Sequence, residues 1–298
     1  SYWMDKDIRE SNKSAGMDSG AVSVLLALFM FGIGKAALMP FHRWLPAAMV
    51  APTPVSALLH AVAVVKAGVF SVVKVVVYVF GLDTLGGTTD WLIAISGFTI
   101  VAASVVALNA DNLKRRLAYS TVSQLSYVIL AAAILAPLSI VGAALHIAAH
   151  ALGKITLFFA AGSIYTAAHK TEVSQLNGIG RRMPWTMAAF GIGALSMIGL
   201  PPAAGFVSKW YLVSGAMSQG AWLALFVVLL STLLNAAYFL PIVYRAFFRP
   251  LSEEAEHHPH GEAPLPIVLA LSFTAAGTLA LFFFPDVPLA LAQQLVQP

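Results

Sequence analysis

Residues 138–167 read LSIVGAALHIAAHALGKITLFFAAGSIYTA, and three basic groups, His146, His150 and Lys154, sit inside this otherwise apolar run. A helix needs about 20 apolar residues to cross a bilayer, so the stretch is long enough to span one. Spacing of four puts all three groups on one helical face, about 6 Å apart step by step along the axis. No acid accompanies them. An ionisable side chain in hydrocarbon is costly, and its default meaning is an ion pathway or a proton relay. Lysine suits such a task because burial lowers the pKa of an ammonium group, letting it exchange protons near neutral pH.

The same conflict recurs along the chain. Lys35, Lys66, Lys74 and Lys209 also lie within apolar runs, as does His60, while all thirteen Asp and Glu residues lie between the runs or near their ends. Eight stretches are long enough to span a membrane: 21–39, 55–79, 91–110, 117–136, 138–167, 185–214, 221–247 and 265–284. None shows the alternation of a membrane barrel strand, so the expected fold is an all-α polytopic membrane protein with about eight transmembrane helices. Composition agrees. The 298 residues are 59% hydrophobic and 10% charged, against about 25% charged in ordinary soluble domains, and the mean hydropathy is +0.82.

A net charge of +4 suggests nucleic acid until the basic residues are located. Arg43 follows the first span, Lys114, Arg115 and Arg116 the third, Lys170, Arg181 and Arg182 the fifth, and Arg245 and Arg249 close the seventh. The intervening turns are almost free of Lys and Arg. This alternation places the basic turns in the cytoplasm of a bacterial inner (cell) membrane, with both termini outside and no nucleic-acid partner. The polar segment Ser1–Gly20 lacks a start methionine and is no signal peptide; it reads either as an outer loop of a longer protein or as the place where the chain was cut, and the expectation is the cut. With no cysteine, neither disulfides nor thiolate metal sites arise.

Two spans are interrupted alike. The first runs through Lys35 into Met39-Pro40-Phe41-His42-Arg43, and the sixth through Gly199-Leu200-Pro201-Pro202 into Lys209. Proline cannot continue a helix without losing backbone hydrogen bonds, and broken helices in corresponding halves of a transporter point to its ion site. The bland alternative is a kinked, packed helix. For the fifth span, His-x-x-x-His can hold zinc only with a third ligand, usually a carboxylate or cysteine, and no apolar span offers one; the stripe of three favours a relay. Lys66 is near mid-span, whereas Lys74, near a span end, has the option of snorkelling to the interface. His60 lies near the cytoplasmic entrance. His257, His258 and His260 share a loop with Glu253, Glu254, Glu256 and Glu262, a composition that is usually only solvated. Asp83 and Asp90 flank an outer turn where cations can gather. No Walker loop, GxGxxG, nucleophile elbow or HExxH occurs, so there is no catalytic site and no cofactor or metal is expected.

Together these motifs resemble the antiporter-like membrane subunits shared by Mrp-type multisubunit cation/proton antiporters, respiratory complex I and membrane-bound hydrogenases. The resemblance covers residues 21 to 285. It rests on Gly34-Lys35, Pro40 and Trp44-Leu45-Pro46, on Ala51-Pro52-Thr53-Pro54-Val55-Ser56-Ala57-Leu58-Leu59-His60, and on Lys114-Arg115-Arg116-Leu117-Ala118-Tyr119-Ser120-Thr121-Val122-Ser123-Gln124. The His146/His150/Lys154 stripe and Gly205-Phe206-x-Ser208-Lys209 continue it, and Pro201 to Phe206 are most similar to the D-type subunit of Mrp antiporters. The resemblance implies an inverted-repeat transporter fold of two five-helix repeats, each with a broken helix and a central lysine. Residues 1–20 would then be a polar outer segment, 21–80 the last two helices of a first repeat, 81–248 the second repeat, 249–263 a cytoplasmic His/Glu loop and 264–298 a closing helix and tail. Lys35 would match the first half-channel lysine, Lys154 the central-axis lysine and Lys209 the lysine of the second broken helix, with His60, His146 and His150 between them. The helix bearing the family's essential glutamate, partner of Lys35, is absent from this stretch. The implied function is proton translocation in a sodium/proton antiporter, or alternatively in the membrane arm of a redox complex, with other membrane subunits, protons, Na⁺ and the lipid bilayer as partners.

Overall fold

In apolar surroundings every backbone N–H and C=O must find a partner within the chain, and a helix supplies nearly all of them locally. The computed structural model describes residues 18–250 and 261–296, without the side chains of 59–62, and every apolar stretch is helical. Helix α1 spans Ser19–Gly32, α2 Val64–Lys74, α3 Asp90–Asn109 and α4 Leu113–Ala133. Then follow α5 at Pro137–Ala168, α6 at Pro184–Ile198, α7 at Ala204–Ser218, α8 at Trp222–Phe248, α9 at Leu265–Phe283 and a short α10 at Asp286–Gln293.

Caps set several boundaries. Asn112 accepts a hydrogen bond from Arg115 N at 3.1 Å, starting α4 four residues before the apolar run at 117. Proline occupies the first turn of α5, α6 and α9, where its missing N–H leaves nothing unpaired. Glu262 accepts from the main-chain N–H of Trp185 at 2.7 Å and of Thr186 at 3.2 Å, tying the loop before α9 to the start of α6.

Among the described residues, four helices are by themselves long and apolar enough to cross a membrane: α3, α5, α8 and α9. The others reach that length in pieces or carry polar residues. α2 continues at both ends into wider π-helical turns, Ser56–Ala63 and Val75–Phe80, which the hydropathy pattern did not announce. The sixth stretch, 185–214, splits into α6 and α7. The first ends at Gly32, passes a 3-10 turn at Gly34–Ala36 and reverses through Pro40. Met39–Pro40 and Pro201–Pro202 are both cis.

The exterior is apolar, unlike that of a soluble protein, and polar groups are set within an interior that is otherwise hydrophobic. Leu28, Phe70, Phe98, Trp210, Phe226, Leu233 and Phe273 lie exposed on the outside. The interior holds Ser104, Ser120, Ser123, Gln124, His146, His150, Lys154, Ser208 and Asn235. This is an all-α polytopic membrane protein, apolar outside, with a polar file threaded through an apolar core. α4 is its axis: only Lys114, Arg115 and Tyr119 of that helix escape burial. α5 packs against α4, α6, α7 and α9, and α8 packs against α3 and α6.

The basic turns meet at one end. Lys114 Nζ donates to Ala51 O at 2.7 Å, Leu113 N to Thr171 O at 2.8 Å and Gly178 N to Arg245 O at 3.0 Å. Arg116 is not a surface charge: it is buried and donates to the carbonyls of Ala110 (2.8 Å), Tyr238 (2.9 Å) and Leu108 (3.3 Å), clamping α3, α4 and α8 together.

Candidate functional site

The break between α6 and α7 generates the first half of the site. Gly199 adopts a left-handed conformation (φ 87°) that ends α6, and Pro201-Pro202, exposed on the outside, prevent its continuation. The last carbonyls of a helix have no intrahelical partner, and in apolar surroundings they need one. Lys209, one turn into α7, folds back over them: Nζ donates to Met197 O at 3.1 Å and to Ile198 O at 2.8 Å. Met197 O also accepts from Gln124 Nε2 at 3.2 Å and Asn235 Nδ2 at 3.3 Å. The two half-helices approach so closely that a Cβ on Gly205 would lie 1.8 Å from Ser196 O. Lys209, only 5% exposed, therefore finds its compensation in the negative end of a helix rather than in a carboxylate. Its ammonium also lies 4.7 Å from the Tyr127 ring centroid and 3.4 Å from Thr232 Oγ1.

α5 supplies the second half. His146, His150 and Lys154 are all buried on one face, as their spacing requires. His146 Nδ1 lies 2.9 Å from Ser208 Oγ, the neighbour of Lys209 in sequence. Its ring stacks on Tyr127 (centroids 5.6 Å apart) and on His150 (6.0 Å). His150 Nδ1 shares a hydrogen bond with Lys66 Nζ of α2. Lys154, one turn further, donates to Leu117 O at 3.1 Å and sits 5.7 Å from the Phe239 ring centroid. A continuous polar file thus runs from Lys66 through His150 and His146 to Ser208, Tyr127 and Lys209, with Lys154 alongside. Among the described residues, no hydrogen-bond partner reaches His146 Nε2, His150 Nε2 or Gln124 Oε1, all buried. Buried polar atoms of this kind are ordinarily satisfied by ordered water.

Of the residues expected from sequence, Lys66, His146, His150, Lys154 and Lys209 come together. Lys35 lies apart, exposed in the Gly34–Ala36 turn beside the exposed Pro40. Lys74 is half-buried at the end of α2. His60 falls in the π-helical turn Ser56–Ala63, but its side chain lies outside the described residues, as do His257, His258 and His260. Asp90 lines a cavity of about 520 Å³ at the end opposite the basic turns, with Gln219 and Trp222. Among the described residues, no carboxylate belongs to the file; the acids sit in turns and at helix ends.

Sequence reasoning gave no role to Tyr127, Gln124, Ser208, Asn235 or Phe239. One signal was available for the first two. Ser120, Thr121, Ser123, Gln124, Ser126 and Tyr127 place polar groups over more than half of the circumference of this helix, far too many for one that faces lipid broadly. Tyr127 bonds Ser231, and the Tyr238 hydroxyl bonds Asn235 and Ser120, so α8 closes the site from the other side.

Comparison with known proteins gives a consistent result. Residues 5–235 match the transmembrane family described as NADH:quinone oxidoreductase/Mrp antiporter. Over 253 residues the chain is 38% identical to NADH-quinone oxidoreductase subunit N of Desulforudis audaxviator, covering 84% of this chain and 50% of that protein. The chain thus spans half the length of this relative. A subunit in the structure of the Mrp complex from Dietzia sp. DQ12-45-1b superposes with a TM-score of 0.83 at 22% identity, over 94% of this chain and 60% of that one. One in respiratory complex I from Thermus thermophilus with bound NADH superposes with a TM-score of 0.76 at 23% identity, over 92% and 59%. At these identities the superpositions establish the fold.

Proposed function

The chain belongs to the NADH:quinone oxidoreductase/Mrp antiporter transmembrane family, and from that premise we propose that it is the proton-translocating part of a subunit in a multisubunit complex of the bacterial cell membrane. The observation that carries this reading is the carboxylate-free polar file from Lys66 to Lys209, enclosed within a bundle whose exterior is apolar. α1 and α2 correspond in this reading to the end of a first repeat. α3, α4, α5, the α6/α7 pair and α8 form a second repeat of five, and α9 closes it.

The mechanism follows from electrostatics between neighbours. Two unit charges about 6 Å apart at an effective dielectric near 20 repel by roughly 3 kcal/mol, which is about two decades in proton affinity. A proton arriving at one member of the file therefore weakens the hold of the next, and the charge advances. The His150–Lys66 bond gives this a chemical form. A charged Lys66 donates to His150 Nδ1, which confines the neutral ring's proton to Nε2; protonation of Nδ1 requires Lys66 to become the acceptor. Only one of the two holds a proton between them, so the pair passes charge rather than accumulating it. At the other end Lys209 discharges towards Thr232 and the α7/α8 side.

The driving force is either a sodium gradient or a redox reaction. The name of the 38%-identical relative favours redox coupling, and the Pro201 to Phe206 segment favours the antiporter. Vesicles carrying the full-length protein in its complex separate them. A pH gradient built by NADH alone, unaffected by Na⁺, supports the first, and one built by a Na⁺ pulse without NADH supports the second. A complex that moves protons under neither condition refutes the proposal.

A further inference from the structure

We infer that the faces of two aromatic rings, Tyr127 and Phe239, act as the counter-charges of the two enclosed lysines, holding each ammonium weakly enough to let its proton go. This deepens the proton-translocating reading above and rests on it.

Lys154 and Lys209 are the buried lysines of the site, and each is set in the same way: main-chain carbonyl oxygen on one side, aromatic ring on the other. Lys209 has Met197 O, Ile198 O and the Tyr127 ring at 4.7 Å. Lys154 has Leu117 O and the Phe239 ring at 5.7 Å. A cation within about 6 Å of a ring centroid is drawn to the negative face of the π-system, most strongly where water is excluded. The strength of the counter-charge decides what a lysine can do. A carboxylate 4 Å away, at an effective dielectric near 20, raises proton affinity about a thousandfold and fixes the ammonium in its charged state. A desolvated ring, at about 2 kcal/mol, raises it roughly thirtyfold, so the charged form is populated but releasable.

Both rings are held in place. Tyr127 stacks on His146, and its hydroxyl bonds Ser231. Phe239 packs edge-on against Phe190 at 6.3 Å and lies tilted against Tyr238 at 4.7 Å, and it offers no polar atom of its own, so its effect on Lys154 comes through the ring alone. Away from the helix ends, the other titratable or charged groups on the elements packed around the two lysines are Lys66 on α2 and Arg116 and Tyr119 on α4. To these add His146 and His150 on α5, Tyr211 on α7 and Tyr238 on α8; α6 and α9 contribute none. No acid stands among them to take over the task. Tyr127 carries a second consequence, since its one ring touches both His146 and Lys209 and couples their charges.

The test uses the full-length protein in its complex, with phenylalanine 239 replaced by mono-, di- and trifluorinated phenylalanines through stop-codon suppression. Fluorine withdraws electron density from the ring face while barely changing its shape. The expected result is a stepwise displacement of the pH midpoint of proton transport towards acid, reaching about one unit, a tenfold change in proton affinity equivalent to about 1.4 kcal/mol. Tyr127→Leu, which removes the ring from Lys209, gives a displacement in the same sense. An unchanged midpoint across the fluorinated series overturns the inference. The ¹⁵N signal of Lys154 Nζ at fixed pH provides a reading independent of transport. Its charged fraction falls along the series if the ring is the counter-charge, and a constant fraction refutes it. Vesicles that move no protons at all defeat the function proposed above, while the nitrogen signal still decides the role of the ring.

Discussion

Replacing Lys209 with methionine separates its two tasks, carrying charge and capping α6. The substitution removes the bonds to Met197 O and Ile198 O. Met197 O keeps its donors Gln124 and Asn235, so only Ile198 O loses its cover. One uncovered buried carbonyl costs about 1–3 kcal/mol, and losing a cation at a helix C-terminus about 0.3–1 kcal/mol more. Against this, methionine fills a similar volume, and an uncharged group no longer has to be kept in apolar surroundings, an exchange that is often neutral or favourable. Lys209→Met is therefore expected to weaken the subunit by no more than about 3 kcal/mol, leaving the complex assembled, while proton transport falls to background. Thermal unfolding of the purified complex and proton flux in vesicles are measured on the same preparation. Wild-type flux removes Lys209 from the path. Collapse of assembly shows that the cap alone explains why a lysine stands there.

Three further outcomes follow from the contacts. Gly205→Ala drives a Cβ to within 1.8 Å of Ser196 O, a backbone atom unable to yield, so the α6/α7 pair separates and size-exclusion profiles show loss of the assembled complex. Ser208→Ala withdraws one neutral hydrogen bond from His146 Nδ1, and at about 1 kcal/mol it slows transport roughly fivefold without abolishing it; unchanged rates argue that the bond orients nothing. Glu262→Ala uncaps α6 at the basic end, and thermal unfolding should register a loss of about 1 kcal/mol with transport retained above its new melting point.

What could be read from the sequence was set by local physics. Apolar length located the helices, and prolines 40, 201 and 202 located both breaks, because each of these acts within a few residues of itself. The His146/His150/Lys154 face was equally legible, since helical spacing alone aligns it. The partners of those groups were not. Ser208 and Tyr127 reach His146 from other helices, and no spacing rule links residues so far apart in sequence. Nor was the compensation of the buried lysines within this chain legible. The chain answers Lys209 with the carbonyls of a helix that proline has ended, and Lys154 with a carbonyl and a phenylalanine, and neither is visible as charge in a list of residues. Arg116 illustrates the converse: counted with the basic turn that orients the protein, it proves to be an interior clamp.

The central claim is that charge crosses the bundle through the side chains of α5. It is tested most directly by proton flux through Lys154→Ala in vesicles of the full-length complex, under whichever gradient drives the wild type, with assembly verified on the same sample. The account predicts an intact complex that moves no protons above background. Flux at the wild-type rate would contradict it.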